Sequence, residues 1–209
     1  MVITQADIIG KIRKTIDDIV PNGVTDSFVT DVNKELWQAT LHATIELSAE
    51  LPYDLLDATV ENLSGTYDEP RGFSYAQTDD NFLRFVSLDI TGCAGILWEL
   101  IEAGSDEEKM QRSPWSRGTA TKPKAMMDQD ENGKKVIVWW PGAAPHNKAQ
   151  LAYIKTSELV EVARQDIPVV PAIICAIRPE AEKEIIYRAA SIFFEGKKEG
   201  EIADRFKNL

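Results

Sequence analysis

The chain is poor in the residues that carry chemistry. Its 209 residues include two cysteines and two histidines. Cys93 and Cys175 stand alone among apolar neighbours, with no second thiol at ligand spacing, so neither a disulfide framework nor a zinc site is expected. Catalysis at neutral pH usually needs titratable groups within reach of each other. His42 lies in a helical stretch beside Leu41 and Ala43, where a packed or partly exposed imidazole is the ordinary outcome, and His146 sits in the turn-like Pro145-His146-Asn147. There is no Gly-Lys-Ser/Thr phosphate loop and no nucleophile-elbow serine. No catalytic residue, no metal and no cofactor is therefore expected. No apolar run approaches the roughly 18 residues that a membrane span needs. The start, Met1 to Asp7, lacks the basic and apolar segments of a signal peptide, from which the expected compartment is the cytoplasm.

What is present is an ordinary balance of 44% apolar and 27% charged residues, enough for one domain, or one domain with a large insertion. The net charge of −11 argues against a protein that grips nucleic acid by neutralising phosphates. The acids are unevenly spread. Between Asp26 and Glu69, the residues Asp31, Glu35, Glu46, Glu50, Asp54, Asp57, Glu61 and Asp68 face one base, Lys34. They read either as an electronegative contact surface or as a solvated helix face.

Periodicity divides the chain in three: helices over residues 1–57, a β-rich insertion over 58–157, and helices with a tail over 158–209. Thr4 can cap a first helix with Ile8, Ile12, Ile16 and Ile19 on one stripe, ended by Pro21-Asn22-Gly23. A second helix starts near Thr25 or Asp26 and runs toward Leu51, burying Phe28, Val32, Leu36, Ala39, Ala43 and Leu47. After Pro52 the texture becomes β-branched and aromatic, with strands expected near 59–63, 82–90, 96–101, 124–128, 135–140 and 150–155. Asp130-Glu131-Asn132-Gly133 suits a hairpin turn, and Ser105 to Thr121 reads as an excursion. From Val170 a helical period is read again, with Pro171 in a first turn and Ile173, Ile174 and Ile177 following. Pro179 restarts the helix, whose stripe is Ile185, Ile186, Ala189, Ile192 and Phe193. Past Gly196 a polar tail keeps Ile202 and Phe206 as widely spaced anchors. The fold class is α+β: a helical bundle with an inserted antiparallel, barrel-like β region.

Asp128, Asp130, Asn132 and Gly133 fit the opening of a calcium loop, but its closing position holds Trp139 where a bidentate Glu belongs. A hairpin turn explains the same residues. The stretch from Lys109 to Lys124 carries Arg112, Arg117 and Lys122 around Trp115 and contains no acid. It could dock on the acidic face of another copy, around Asp54 and Asp57, closing a ring through a heterologous contact. An ordinary solvated loop is the alternative. Trp98, Trp139 and Trp140 suit core packing or interface anchoring equally.

The order of parts is familiar. A helix with Asn33, Leu36 and Trp37 ends in Leu51-Pro52-Tyr53-Asp54-Leu55-Leu56; then come Asp80 to Val86, Gln111-Arg112 to Arg117-Gly118, Lys122-Pro123 and Trp140-Pro141. An Ala- and Ile-rich helix through Tyr187 and Ala190 closes the series. This arrangement resembles the head-to-tail adaptor, or connector, proteins of tailed phages, and is similar to the neck ring proteins of crAss-like phages. The resemblance spans nearly the whole chain through soft motifs. It implies a structural protein, not an enzyme, made in the bacterial host and placed in the virion neck. Such proteins form rings of about twelve copies beneath the portal. Portal and further neck or tail proteins are then the partners, with Ile202, Arg205, Phe206 and Leu209 as portal-docking candidates. DNA would pass through without specific binding, its phosphates repelled by an acidic lumen. Two rivals remain. One is a tail or binding module that forms no ring; the other is an enzyme drawing on Asp79, Asp80 or Asp128.

Overall fold

The computed structural model describes residues 1–20, 29–164 and 167–209. The expected turn Pro21-Asn22-Gly23, the helix start at Thr25 or Asp26 and the contact of Phe28 lie outside the described residues. The chain divides into two compact units: Met1–Asp57 with Lys155–Leu209, and Ala58–Ile154. Among the described residues the fold is α+β, with five helices and three antiparallel sheets. No helix among them is long and apolar enough to cross a membrane.

The first unit opens with strand β1 (Val2–Thr4) and helix α1 (Gln5–Ile19), whose isoleucines at three- and four-residue steps bury Ile8, Ile12 and Ile16 together with Ile9. Ile19 is half-buried at the end of the stripe. Thr4 occupies the N-cap position without capping: its hydroxyl donates to Asp7 at 2.5 Å instead of accepting a backbone N–H. Helix α2 (Val29–Glu50) buries Leu36, Ala39, Ala43 and Leu47, as its period requires. It also buries Thr40, Thr44 and Ser48, whose hydroxyls each find a carbonyl one turn back, at Leu36, Leu41 and Thr44. That internal bonding lets polar residues sit in the helix interface without the cost of an unpaired donor. After a 3-10 turn at Tyr53–Leu55 the chain leaves the unit, returning for strands β9 (Glu158–Arg164) and β10 (Ile167–Ile174).

Residues 170–174, expected to be helical, form the end of β10, which lies between β1 and β9 in a three-stranded sheet. Ile173 is buried while Ile174 is exposed, the alternation of a strand, and β-branched residues favour this conformation. Pro171 is tolerated because β1 ends with Thr4 opposite Ala172, leaving β9 as the neighbour of β10 at that point. Arg178 holds extended backbone before Pro179, which opens a 3-10 turn leading into α4 (Glu182–Gly196). Helix α4 buries Ile185, Ile186, Ala189, Phe193 and Phe194, and packs on α2, on α1 and on the short α5 (Gly200–Lys207).

The second unit holds β2 (Thr59–Ser64), β3 (Thr66–Asp68), β4 (Phe73–Gln77), β5 (Phe82–Ile90), helix α3 (Asp106–Gln111), β6 (Lys124–Gln129), β7 (Lys135–Trp140) and β8 (Lys148–Lys155). Their order is β2-β8-β5 in one sheet and β3-β4-β7-β6 in the other. None of the three sheets closes into a barrel. The short strands β3 and β4 were not foreseen. Residues 96–101 form no strand; their backbone pairs with the sheets in isolated bridges, Leu97 to Leu88 and Ile101 to Met126, and Leu97, Leu100 and Ile101 pack on the cores.

Strand β7 is buried on both faces and feeds two cores. Ile137 and Trp139 join Leu63, Leu88, Leu151 and Tyr153 in a cluster that both sheets share. Val136, Val138 and Trp140 pack with Ile101, Met126 and Phe73 on the opposite side. The connection after β7 leaves no room for a side chain at Gly142, where a Cβ would stand 2.1 Å from the backbone of Phe73.

Candidate functional site

The stretch expected to be a basic loop begins in the last turn of a short helix, α3, which brings counter-charges of its own. Ser105 caps α3 by accepting from Glu108 N at 3.2 Å, and the Glu108 carboxylate accepts from Gly104 N at 2.7 Å. This is close to a capping box, and Ser105-Asp106-Glu107-Glu108 carried its signature unread. Lys109 pairs with Asp106 at 2.8 Å, Arg112 with Glu108 at 3.1 Å, and Lys124 with Glu107. The Gly104 N–H, then the Arg112 side chain, hold the Glu108 carboxyl below its ordinary range. Arg117 donates to the Arg71 carbonyl at 3.0 Å. Lys122 has no ion pair among the described residues, and sits in a turn closed by mutual backbone bonds with Thr119. The basic patch is thus largely neutralised where it stands.

Trp115 is different. It is 96% exposed, although the backbone around it is tied down by Arg117 N to Ser113 O and by Ser116 Oγ to Met110 O. Trp98 is 65% exposed on the irregular stretch before α3, whereas Trp139 and Trp140 belong to the core.

Beside α3 lies a cleft of about 420 Å³. Its floor is the outer face of the four-stranded sheet, with Phe73, Met126, Val138 and Trp140; Arg71, Glu108, Arg112 and Asp128 line its rim. Phe73 meets Trp140 edge-on at 5.6 Å, and the Arg71 guanidinium stands 6.0 Å over the Phe73 ring. The indole nitrogen of Trp140 is buried with no hydrogen-bond partner among the described residues.

The acidic face of the first unit is also partly neutralised. Asp57 pairs with Arg178 at 2.9 Å, and Arg178 also donates to the Asp54 carbonyl at 3.0 Å. Arg188 of α4 reaches Glu46 and Glu50 at 3.0 and 2.7 Å, while Lys197 reaches Glu35 at 2.5 Å. The tail candidates separate. Phe206 is 2% exposed and stacked on Phe194 at 5.7 Å, so its own chain covers the ring; Ile202 is half-buried, and Arg205 and Leu209 are exposed.

Cys93 and His146, far apart in sequence, are neighbours in the fold. Cys93 Sγ lies 3.6 Å from His146 Nδ1, which is also 2.9 Å from the Thr91 carbonyl. Burial, and then Asp89, push the Cys93 thiol up, which keeps it protonated and a poor nucleophile. With the Thr91 carbonyl taking an Nδ1 proton, that nitrogen cannot serve the thiol as a base. His146 works instead as a strut, its carbonyl accepting from Trp139 Nε1 at 2.7 Å. His42 is exposed on α2.

Of the carboxylates considered for an enzyme, Asp79 accepts from Tyr153 OH at 3.3 Å and from Asn81 N, Asp80 is exposed, and Asp128 lies on the cleft rim. The turn at Asp130-Glu131-Asn132-Gly133 is held by Asp130, which accepts backbone N–H groups from Asn132 and Lys134 at 2.8 and 2.9 Å. The Lys134 N–H leads in lowering its carboxyl. Among the described residues no cluster of three or more His, Cys, Asp or Glu side chains could hold a metal ion. Comparison with protein-family models and with curated proteins gives no match for this sequence.

Proposed function

We propose that the chain is a structural ring subunit of a tailed-phage neck, joining portal to tail in the virion, lining the DNA channel and catalysing nothing. The observation that carries this reading is the interrupted construction. The helical unit draws on both ends of the chain, and a β-rich unit, Ala58–Ile154, is inserted between its two segments. Adaptors of this class are helical bodies with a barrel-like insertion; on this reading the insertion is present as two open sheets. Outward-facing Trp98 and Trp115 add support, because large aromatics held in water on an ordered backbone serve recognition better than folding. The net charge of −11 suits a channel that repels phosphate and lets a genome slide.

The deciding experiment mixes the full chain with its portal and images the product by negative stain. Closed rings stacked on the portal support the proposal; a chain that stays free beside intact portal refutes it. A binding module without a ring is the second reading, favoured by the cleft beside α3. It predicts a complex with one partner copy per chain.

A further inference from the structure

From the cleft and the exposed indole together, we infer a self-association site: Trp115 of one copy seats in the cleft between α3 and the four-stranded sheet of a second copy. The inference does not depend on the ring reading. One face of that sheet is closed by the shared core through Ile137 and Trp139. The other is covered only in part by α3 and Ile101, leaving a floor of Phe73, Met126, Val138 and Trp140 with about 420 Å³ above it. A space of that size is large enough to admit a tryptophan side chain. The rim selects which one. Arg71 and Arg112 offer guanidinium planes to stack on an aromatic face, and the Asp128 and Glu108 carboxylates offer acceptors. An aliphatic side chain would use the floor alone, whereas an indole, flat and carrying an N–H donor, uses both.

The chain presents that group without covering it. Trp115 is 96% exposed on a turn braced by Ser116, Met110 and Arg117. A tryptophan held out in this way keeps roughly 150–250 Å² available for burial, with its backbone already ordered. Charge favours a second copy over an acidic partner. Asp106, Glu107 and Glu108 offset Lys109, Lys124 and Arg112, so two such segments approach without the repulsion expected of a chain at −11.

The test uses the full chain without portal. Sedimentation velocity over a wide concentration range should show wild type associating and Trp115→Ala weakened at least tenfold. The exposure of Trp115 makes the variant safe for folding. Methyl-labelled W115A is then titrated with N-acetyl-tryptophanamide, which should shift the Met126 and Val138 methyl signals, more weakly after Asp128→Ala. Wild type that remains monomeric, or W115A that associates as well as wild type, overturns the second-copy occupant. Methyl signals that ignore the probe overturn the cleft. Portal-mixed imaging that shows no ring would refute the proposed function and leave this contact standing.

Discussion

Helix α5 should leave its seat when Phe206 is truncated, and the size of the effect follows from what holds it. A helix of eight residues has no stability of its own in water, so α5 exists because it is docked. Its anchors are Ala203 and Phe206, at 0% and 2% exposure, with the Phe206 ring stacked on Phe194 at an interplanar angle of 9°. The Lys207–Glu195 pair is about half exposed on both sides and adds little. Phe206→Ala in a closed core would cost about 3–5 kcal/mol, because a cavity would remain. A terminal helix has a cheaper course: it can undock, so the loss is capped near the burial free energy of one phenylalanine, about 1.5–3 kcal/mol. Amide exchange by mass spectrometry should show Gly200–Lys207 exchanging almost as an unfolded peptide, while Glu182–Gly196 keeps its protection. Protection of α5 unchanged in the variant would refute the reasoning, since something other than Phe206 would then hold the helix.

Other consequences are as specific. Leu209→Ala and Arg205→Ala, at exposed positions, should change unfolding free energy by less than about 0.5 kcal/mol in urea titration while weakening association with portal, if the tail engages it. Gly142→Ala should destabilise by about 3 kcal/mol or more, since the new Cβ meets the Phe73 backbone and no rotamer can move it aside; a soluble variant with an unchanged urea midpoint would contradict the geometry. Asp130 has a lowered carboxyl in the folded chain, so its contribution is complete above the unfolded value and is lost as pH falls through the lowered folded one; the Asn132 and Lys134 amide signals should move there, and Asp130→Asn should remove that step. Cys93 should alkylate more slowly than free cysteine at pH 8, its thiol raised by burial and Asp89, with Cys175 slower still; equal rates in the native protein would show an open, ionised Cys93.

The helices were legible where periodicity was clean. Ile8, Ile12 and Ile16 on α1, and Leu36, Ala39, Ala43 and Leu47 on α2, are buried as their spacing requires. The first unit's sheet was not legible, for a physical reason. An apolar run such as Ile167 to Ile177 satisfies a helical and an extended reading alike until its neighbours are known. Its neighbours are β9, whose Glu-Leu-Val-Glu-Val-Ala-Arg lacks a clean two-residue alternation, and β1, whose three residues carry too little pattern to register. Pairing across 170 residues, Ile3 opposite Ile173, decided what local preference could not. The β-rich unit failed in a different way: strands were found, but closure was assumed, whereas two open sheets can share one core through a strand buried on both faces.

Charge pairing was the least legible feature. Between Asp31 and Asp68 the acids have one local base, Lys34, but their counter-ions are not confined to that segment. Arg178, Arg188 and Lys197 arrive from the other end of the chain and pair with Asp57, Glu46, Glu50 and Glu35. The basic stretch is the reverse case: its acids lie just upstream, at 106–108, and pair with it over one helical turn. Exposed pairs of this kind contribute little to stability, but they remove the long-range attraction on which a charge-driven contact between copies would depend. What survives neutralisation is shape: an exposed indole and a cleft with an apolar floor, both on the inserted unit. A contact made that way should tolerate salt, since apolar burial is not screened. Raising sodium chloride from 50 mM to 500 mM should leave its strength within about threefold, whereas docking of the basic stretch on an acidic face would fall steeply over that range.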